Sequence, residues 1–293
     1  MKSKRLSGNV KAIPFLLPFF IIYVLFTVWP IFKGLQMSFY DWSIIKKIRF
    51  VGWDNYVRMV HDADFWASLW HTTLFVILST PTMLILALAL ALLANRKSKW
   101  RTFLRGAYFI PTILSVSVIS YIAIFMLQPY SGFLNSALHL IGIQAEPFWM
   151  ANPHLAWLSI VGVTLWWTVG FNMVLFLAAL QDIPEYLYEA ARIDGASRSQ
   201  LFWHITFPQL LPIGRVILLL QVLASYKVFA QIMLITGGGP GTDTRPIIQY
   251  IYQTGFHKFN LGYAATMSYA LFVILLILSI FQVKGQSKQG GMI

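Results

Sequence analysis

Six apolar stretches, each long enough to cross a lipid bilayer, constrain this chain more than any other feature of its sequence. A helix needs about 20 predominantly apolar residues to span the hydrocarbon core. The predicted spans are residues 12–33, 68–95, 106–128, 155–180, 213–235 and 260–283. Only helices and closed barrels satisfy their backbone hydrogen bonds inside lipid. We therefore predict an all-α polytopic membrane protein with six transmembrane helices, forming one transmembrane domain over residues 1–293.

Composition agrees with a membrane location. Only 11% of the residues are charged and the mean hydropathy is +0.67, whereas soluble proteins carry about 25% charged residues. The absence of cysteine excludes disulfides and thiolate metal sites. The net charge of +12 is compatible with nucleic-acid binding. Whether it indicates nucleic-acid binding or the orientation of a membrane protein depends on where the basic residues lie.

The placement of lysine and arginine predicts the orientation in the membrane. Six spans place both termini and the loops after the second and fourth spans on one side of the membrane. About twice as many lysines and arginines lie in these segments as in the loops on the other side. Because cytoplasmic loops are enriched in basic residues, we predict that both termini and the loop 182–212 are cytoplasmic. The excess of basic residues is then explained by the cytoplasmic segments, without nucleic-acid binding. The first apolar run is too long for a signal peptide, so we interpret it as a retained span.

Catalytic and metal-binding motifs are absent from the sequence. It has no HExxH and no GxSxG, and its histidines lack metal-ligand spacing. The stretch "TGGGPGTDT" at 236–244 is rich in glycine, but the GK[ST] of a phosphate-binding loop does not follow it. We interpret it as a tight turn on the outer side. The chain is therefore expected to be non-catalytic and to bind no cofactor of its own.

The loop 182–212 interrupts the apolar pattern with charged residues. "DIPE" at 182–185 predicts a helix start with Asp182 as the N-cap, and Gly195 predicts its end. Ser197 and Gln200 then predict a capping box. The second, short helix is expected to present an apolar stripe made of Leu201, Phe202 and Ile205. This pattern favours a docking surface for a soluble partner over an ordinary connection between helices.

"EAARIDGASRSQLFWHITFPQLLP" at 189–212 resembles the EAA loop of integral-membrane permease subunits of binding-protein-dependent ABC importers. Its DGA form resembles the carbohydrate branch, with Phe207 where that family usually has leucine. The stretches "GFLN" at 132–135, "WWTVGFNMVLFLAALQDIP" at 166–184 and "LITGGGPGTDT" at 234–244 match in order and spacing. "TGGGP" is typical of the maltose-type subunit that is first of the permease pair. The resemblance covers nearly the whole chain.

The resemblance implies a type I ABC importer permease in a bacterial or archaeal cytoplasmic membrane. The implied partners are a second homologous permease, two copies of a nucleotide-binding ATPase subunit and an extracytoplasmic sugar-binding protein. ATP and magnesium would bind to the ATPase. The residues that match the ATPase-coupling segment are Glu189, Ala190, Ala191, Asp194 and Gly195, followed by the apolar Leu201, Phe202 and Ile205.

The resemblance also implies a substrate pathway near the middle of the membrane. The matching positions are Thr112, Val116, Val169, Gly170, Met173, Gln221, Ser225, Val228 and Ala230. The residues themselves add Asn172 and Lys227, because polar groups within spans are costly unless they face protein or water. Lys227 is read either as a substrate contact or as a snorkelling or paired lysine. Trp166, Trp167, Phe171 and Tyr226 are read either as an aromatic sugar face or as lipid contacts.

The sequence thus predicts a permease subunit that forms half of the translocation pathway of an ATP-driven carbohydrate importer, with an oligosaccharide as the expected cargo. The same importer class with a polyol or sugar phosphate as cargo stays open. An ion-coupled secondary transporter is the rival from another class. It normally needs a buried acid, and all ten acidic residues lie outside the predicted spans.

Overall fold

The computed structural model describes residues 15–43, 48–96 and 101–287, most of them in helices. In chain order the helices are α1 (Phe15–Ser38), α2 (Asp54–Val60), α3 (Ala63–Asn95), α4 (Arg101–Ile113), α5 (Val116–Met126), α6 (Phe133–Leu140), α7 (Pro153–Gln181), α8 (Glu185–Ile193), α9 (Arg198–Tyr226), α10 (Ala230–Ile235), α11 (Ile247–Tyr252) and α12 (Leu261–Ser287). Two short strands, β1 (Tyr40–Asp41) and β2 (Arg49–Phe50), pair antiparallel between α1 and α2.

The helical, multi-span architecture predicted from hydropathy is confirmed. Among the described residues, α1, α3, α7, α9 and α12 are each long and apolar enough to cross a membrane. A sixth span results if α4 and α5 are counted together as one broken span, with 103° between their axes. The predicted start of the first span, residues 12–14, lies outside the described residues.

The third predicted span, 106–128, is bent where α4 meets α5. Ser115 adopts an extended backbone, and its hydroxyl accepts a hydrogen bond from the Val118 amide. The Leu114 carbonyl accepts a hydrogen bond from Trp167 Nε1 at 3.1 Å. Unpaired backbone groups are expensive in lipid, so these bonds are what make a break at this depth acceptable.

The fifth predicted span, 213–235, differs in extent from helix α9. The helix begins at Arg198, passes through Pro208 and Pro212, and ends at Tyr226, and α10 follows after a three-residue break. A π-helical turn at Phe202–Thr206 precedes the first proline, and Thr206 Oγ1 donates to the Leu201 carbonyl at 3.3 Å. Membrane helices tolerate proline by adjustments of this kind.

The described chain divides into two compact units, and the first comprises its residues up to Ala63, that is 15–43 and 48–63, together with Ile251–Phe272. Its polar groups centre on the end of α1. Asn55 Nδ2 donates to the carbonyls of Ser38 and Tyr40 at 2.9 and 3.0 Å. Thr266 Oγ1 also donates to the Ser38 carbonyl, at 3.1 Å. These bonds fix α2 and the start of α12 against the end of α1.

The second unit, Asp64–Tyr250 with the chain from Val273, is built around α3, α7 and α9. Its largest apolar core contains Met83, Ala87, Leu90, Ala91 and Ala94 from α3, Val169, Met173, Phe176, Leu177 and Leu180 from α7, and Leu210 and Ile217 from α9. A second core joins Phe75, Trp157, Ile160 and Val161 to Val228 and Ile232. Several polar residues of these helices, among them Asn172, Gln221 and Ser225, are buried outside the apolar cores and belong to the site described next.

Candidate functional site

The second unit contains a cavity of about 600 Å³ lined by residues from α3, α4, α5, α7, α9 and α10. Eight of the predicted pathway residues line it, namely Thr112, Val116, Asn172, Gln221, Ser225, Lys227, Val228 and Ala230. Positions taken from three different predicted spans are therefore brought together around one space.

A chain of buried hydrogen bonds crosses the cavity wall. Asn172 Nδ2 donates to Gln221 Oε1 at 3.1 Å, and Gln221 Nε2 donates to Ser225 Oγ at 3.3 Å. Ser225 Oγ also lies 3.3 Å from Ser79 Oγ on α3. Asn172 and Gln221 are 4% and 8% exposed. An amide side chain has four hydrogen-bonding positions, so both residues keep capacity to bind a polar ligand.

A second polar pair in the cavity was not predicted. Gln231 Nε2 donates to Thr164 Oγ1 at 2.7 Å, and both residues are buried. The sequence holds a signal for it, because Thr164, Thr168 and Asn172 are each four residues apart and so share one face of α7. Gln231 also lies within the predicted span 213–235, where the argument used for Asn172 applies equally.

Two of the four proposed aromatic residues line the cavity. Trp167 and Phe171 do so, and the Trp167 indole is held by its bond to the Leu114 carbonyl. Trp166 instead lines a separate apolar pocket beside α5. Tyr226 is buried and its hydroxyl lies 3.3 Å from Thr73 Oγ1. The cavity therefore combines aromatic faces with amides and hydroxyls.

Gly170, Met173 and Val169, which were also predicted along the substrate pathway, do not line this cavity. Gly170 is the point of closest approach to α4, because a methyl group added there would meet the Tyr108 carbonyl oxygen. Met173 is fully buried and Val169 nearly so, and both belong to the apolar core with α3. Gly170 and Met173 lie on faces of α7 turned away from Asn172, whereas Val169 is kept from the cavity by its packing in the apolar core.

Lys227 lies where α9 ends. Its amide bonds back to the carbonyls of Ala224 and Ser225, and Phe229 has the unusual backbone angles φ −152° and ψ −69°. The Lys227 side chain is exposed and contributes to the cavity lining. The lysine is thus part of a break between helices, where the sequence alone placed it inside a continuous span.

The loop 182–212 contains two successive helix ends joined at Gly195. The Gly195 amide bonds to the Arg192 carbonyl and the Ala196 amide bonds to the Ala191 carbonyl, at 3.1 and 2.9 Å. This is a Schellman motif, and Gly195 has the positive φ of +81° that it needs. The capping box of Ser197 and Gln200 is confirmed in both of its hydrogen bonds.

The predicted cap at the start of this loop is wrong. Asp182 ends α7, and α8 begins at Glu185 after Pro184 with no side-chain cap. The short second helix predicted after Ser197 is not separate either, because it forms the first turns of α9. Pro184 itself occupies the N-cap position of α8, and proline has no side-chain oxygen that could accept a hydrogen bond from the first-turn amides.

Exposure separates the residues of this loop into two groups. Glu189, Ala190, Asp194 and Gly195 are exposed and Ala191 is half-buried, as are Leu201, Phe202 and Ile205. Ile193 and Trp203 are large apolar side chains that are 87% and 57% exposed, and neither was predicted to belong to the apolar stripe. Both lie next to predicted residues, so the surface is more apolar than the predicted stripe.

The glycine-rich stretch 236–244 is a closed turn, as expected. Gly237 and Gly238 have positive φ, Thr236 and Thr244 hydroxyls lie 2.9 Å apart, and Gln249 Nε2 donates to the Gly237 carbonyl at 2.7 Å. Arg245 beside it forms an ion pair of 2.7 Å with Asp64. No group of three or more potential metal ligands occurs in the described residues.

A helical chain with several candidate membrane spans and a polar cavity between them is a polytopic membrane protein of the transport class. Residues 65–285 match the family described as "Binding-protein-dependent transport system inner membrane component", and the chain belongs to this family. It is a multi-pass permease of the ABC importer type, a protein of the bacterial or archaeal cytoplasmic membrane.

Individual relatives agree with this assignment. The chain is 34% identical to the probable ABC transporter permease protein YurN of Bacillus subtilis, over 94% of this chain and 96% of that protein. It is also 34% identical to the sn-glycerol-3-phosphate transport system permease protein UgpA of Agrobacterium fabrum, over 95% and 96%. A crystallised bacterial ABC transporter involved in the import of the acidic polysaccharide alginate has a chain that superposes with a TM-score of 0.86 at 25% identity, over 97% and 99%.

Proposed function

We propose that this subunit forms half of the translocation pathway of an ATP-driven carbohydrate importer. The observation that supports the cargo class is the cavity itself, where amides of Asn172, Gln221 and Gln231 and the faces of Trp167 and Phe171 surround about 600 Å³. Amides and hydroxyls match the hydroxyl groups of a sugar, and an aromatic face matches its apolar face. The alginate importer's cargo is also a carbohydrate.

The working assembly pairs this chain with a second homologous permease and two ATPase subunits, and a sugar-binding protein delivers the cargo from outside. ATP and magnesium bind to the ATPase, and this chain supplies no catalytic group. Both termini and the loop 182–212 face the cytoplasm in this arrangement. The cavity lining of the described chain has no carboxylate, which disfavours an ion-coupled secondary transporter.

The loop 182–212 is the proposed attachment to the ATPase. Three properties support this role: the rigid Schellman turn at Gly195, the exposed carboxylate of Glu189, and the exposed apolar side chains of Ile193 and Trp203. Exposed apolar groups beside a charged group are typical of a protein interface. Tyr188 and Thr206 hydroxyls, 2.9 Å apart, brace α8 against α9, so a force on α8 is passed to the helix that carries Gln221.

The test is to co-purify the ATPase with variants of this loop. Glu189→Ala and Gly195→Val are expected to lower ATPase recovery and transport severalfold while membrane insertion stays normal. Valine strains the positive φ at Gly195 by about 1–2 kcal/mol. Glu185→Ala is the matched control, because Glu185 is an exposed carboxylate on the same helix. Wild-type recovery and uptake in both test variants would refute the docking role.

A further inference from the structure

The charge of the cavity comes from one residue. Among the lining residues of the described chain, Lys227 is the only one whose side chain is charged at neutral pH. The other polar lining groups are amides, hydroxyls and the indole of Trp167, all of which are neutral. The part of the pathway contributed by this chain is therefore cationic.

The surroundings of Lys227 leave its ammonium group without an anionic partner. No ion pair links it to any residue in 15–43, 48–96 or 101–287. The Lys227 side chain is exposed and lines the cavity, so its ammonium group is accessible to a ligand there. The carbonyl end of α9 favours a cation nearby, but it does not supply a full negative charge.

The backbone at this position fixes where the ammonium group can reach. The Lys227 amide is bonded to the Ala224 and Ser225 carbonyls, and Ser225 is in turn held by Gln221. The lysine is therefore anchored one turn from the buried amide chain, beside Val228 and Phe229 on the same cavity wall. Lys227 lines the same cavity as Asn172 and Gln221, so one cargo molecule in this cavity can contact all three side chains.

We propose that Lys227 determines specificity for an anionic cargo, a polyhydroxylated molecule bearing a carboxylate or a phosphate ester. This rests on the proposed function and narrows it. Hydroxyls of the cargo bind to the neutral amides and its apolar face packs on Trp167, while its oxyanion accepts hydrogen bonds from the Lys227 ammonium. Charge-assisted bonds of this type are about twice as strong as neutral ones.

The test uses the complete importer in proteoliposomes, with uptake of a uronate trisaccharide, sn-glycerol 3-phosphate and maltotriose compared between wild type and variants. The binding protein is the same in every sample, so the ratio of variant to wild type isolates the contribution of this chain. Lys227→Gln is expected to lower uptake of the anionic cargo about tenfold to a hundredfold and to change maltotriose uptake by less than about twofold. The two anionic probes distinguish a carboxylate from a phosphate ester.

A charge-restoration experiment separates charge from structure. The chain contains no cysteine, so Lys227→Cys places a single thiol in this subunit, at the cavity. Coupling an aminoethyl group to that thiol is expected to restore anionic uptake, and coupling a sulfonatoethyl group is not. Equal losses for charged and neutral cargo in Lys227→Gln, or equal effects of the two reagents, would overturn the proposal.

The possible failures are distinguishable. A wild-type complex that imports maltotriose but neither anionic probe refutes the role of Lys227 and leaves the carbohydrate importer standing. A wild-type complex that imports none of the three refutes the proposed function, and the specificity role falls with it.

Discussion

Replacing Gly170 by alanine tests the packing of α4 against α7. A methyl carbon at Gly170 would lie 2.8 Å from Phe109 Cα and 2.8 Å from the Tyr108 carbonyl carbon, and it would also meet the Tyr108 oxygen. Carbon atoms in contact are normally about 3.5–4.0 Å apart. The obstacle is backbone, so it cannot rotate away. Helix α4 must therefore move by at least about 0.7–1.2 Å to relieve the carbon contacts, and further to clear the Tyr108 oxygen.

That displacement is large enough to break the bonds that shape the cavity. Thr112 Oγ1 donates to the Trp167 carbonyl and Trp167 Nε1 donates to the Leu114 carbonyl, both at 3.1 Å. A shift of the expected size takes both beyond about 3.5 Å, where hydrogen bonding is weak. Overpacking of this kind costs about 1–3 kcal/mol, so we expect Gly170→Ala to lower the thermal stability of the purified complex and its cargo uptake together.

Gly162→Ala is the matched control on the same helix. A methyl carbon at Gly162 meets nothing within 4 Å, and the gain in helix propensity from glycine to alanine is shared by both variants. The measurement is the unfolding temperature in detergent, followed by size-exclusion chromatography, with uptake measured in proteoliposomes. Equal unfolding temperatures for the two variants would show that α4 and α7 do not approach each other at Gly170 as described.

Three further predictions concern stability. Asn172→Leu and Gln221→Leu are each expected to lower the stability of the protein by about 1–3 kcal/mol, because each leaves the partner's buried amide unpaired. A double-mutant cycle should show a coupling energy of about 0.5 kcal/mol or more. Strictly additive losses would contradict the hydrogen bond between Asn172 and Gln221. Ser197→Ala removes one bond of the capping box and should cost about 1 kcal/mol, seen as faster amide exchange in the first turn of α9, with unchanged exchange arguing against the cap. Arg245→Met should destabilise more than Asp64→Asn, because the arginine also stacks on a tyrosine ring; the reverse order, measured by thermal unfolding, would contradict this.

Mean hydropathy predicted the membrane helices well because the apolar composition extends along the whole length of each helix. It missed the bend between α4 and α5 because the residues around Leu114 and Ser115 stay apolar on average through the break. The start of α9 was missed for a different reason. The sequence predicts a short helix in the loop 182–212 and a separate span from residue 213, whereas one helix passes through Pro208 and Pro212 after a π-helical turn.

The cavity was partly predictable from single residues. Asn172 and Lys227 were found because a polar group within a span needs a polar environment, and Gln231 was missed only because the same argument was not applied to it. Gly170 and Met173 show the limit of matching a motif. A motif gives the position along a helix, whereas the face that a residue occupies depends on neighbouring helices that the motif does not contain.

The length of α3 has a mechanical consequence. Its 33 residues make a rod of about 50 Å, well beyond the roughly 30 Å of the hydrocarbon core. One end carries Ala94 in the apolar core with α7 and α9, and the other carries Asp64, paired with Arg245 beside the glycine-rich turn. A rotation of roughly 5° about one end displaces the other by about 4 Å. The helix therefore acts as a lever, and small adjustments in side-chain packing at one end become movements of atomic-contact size at the other.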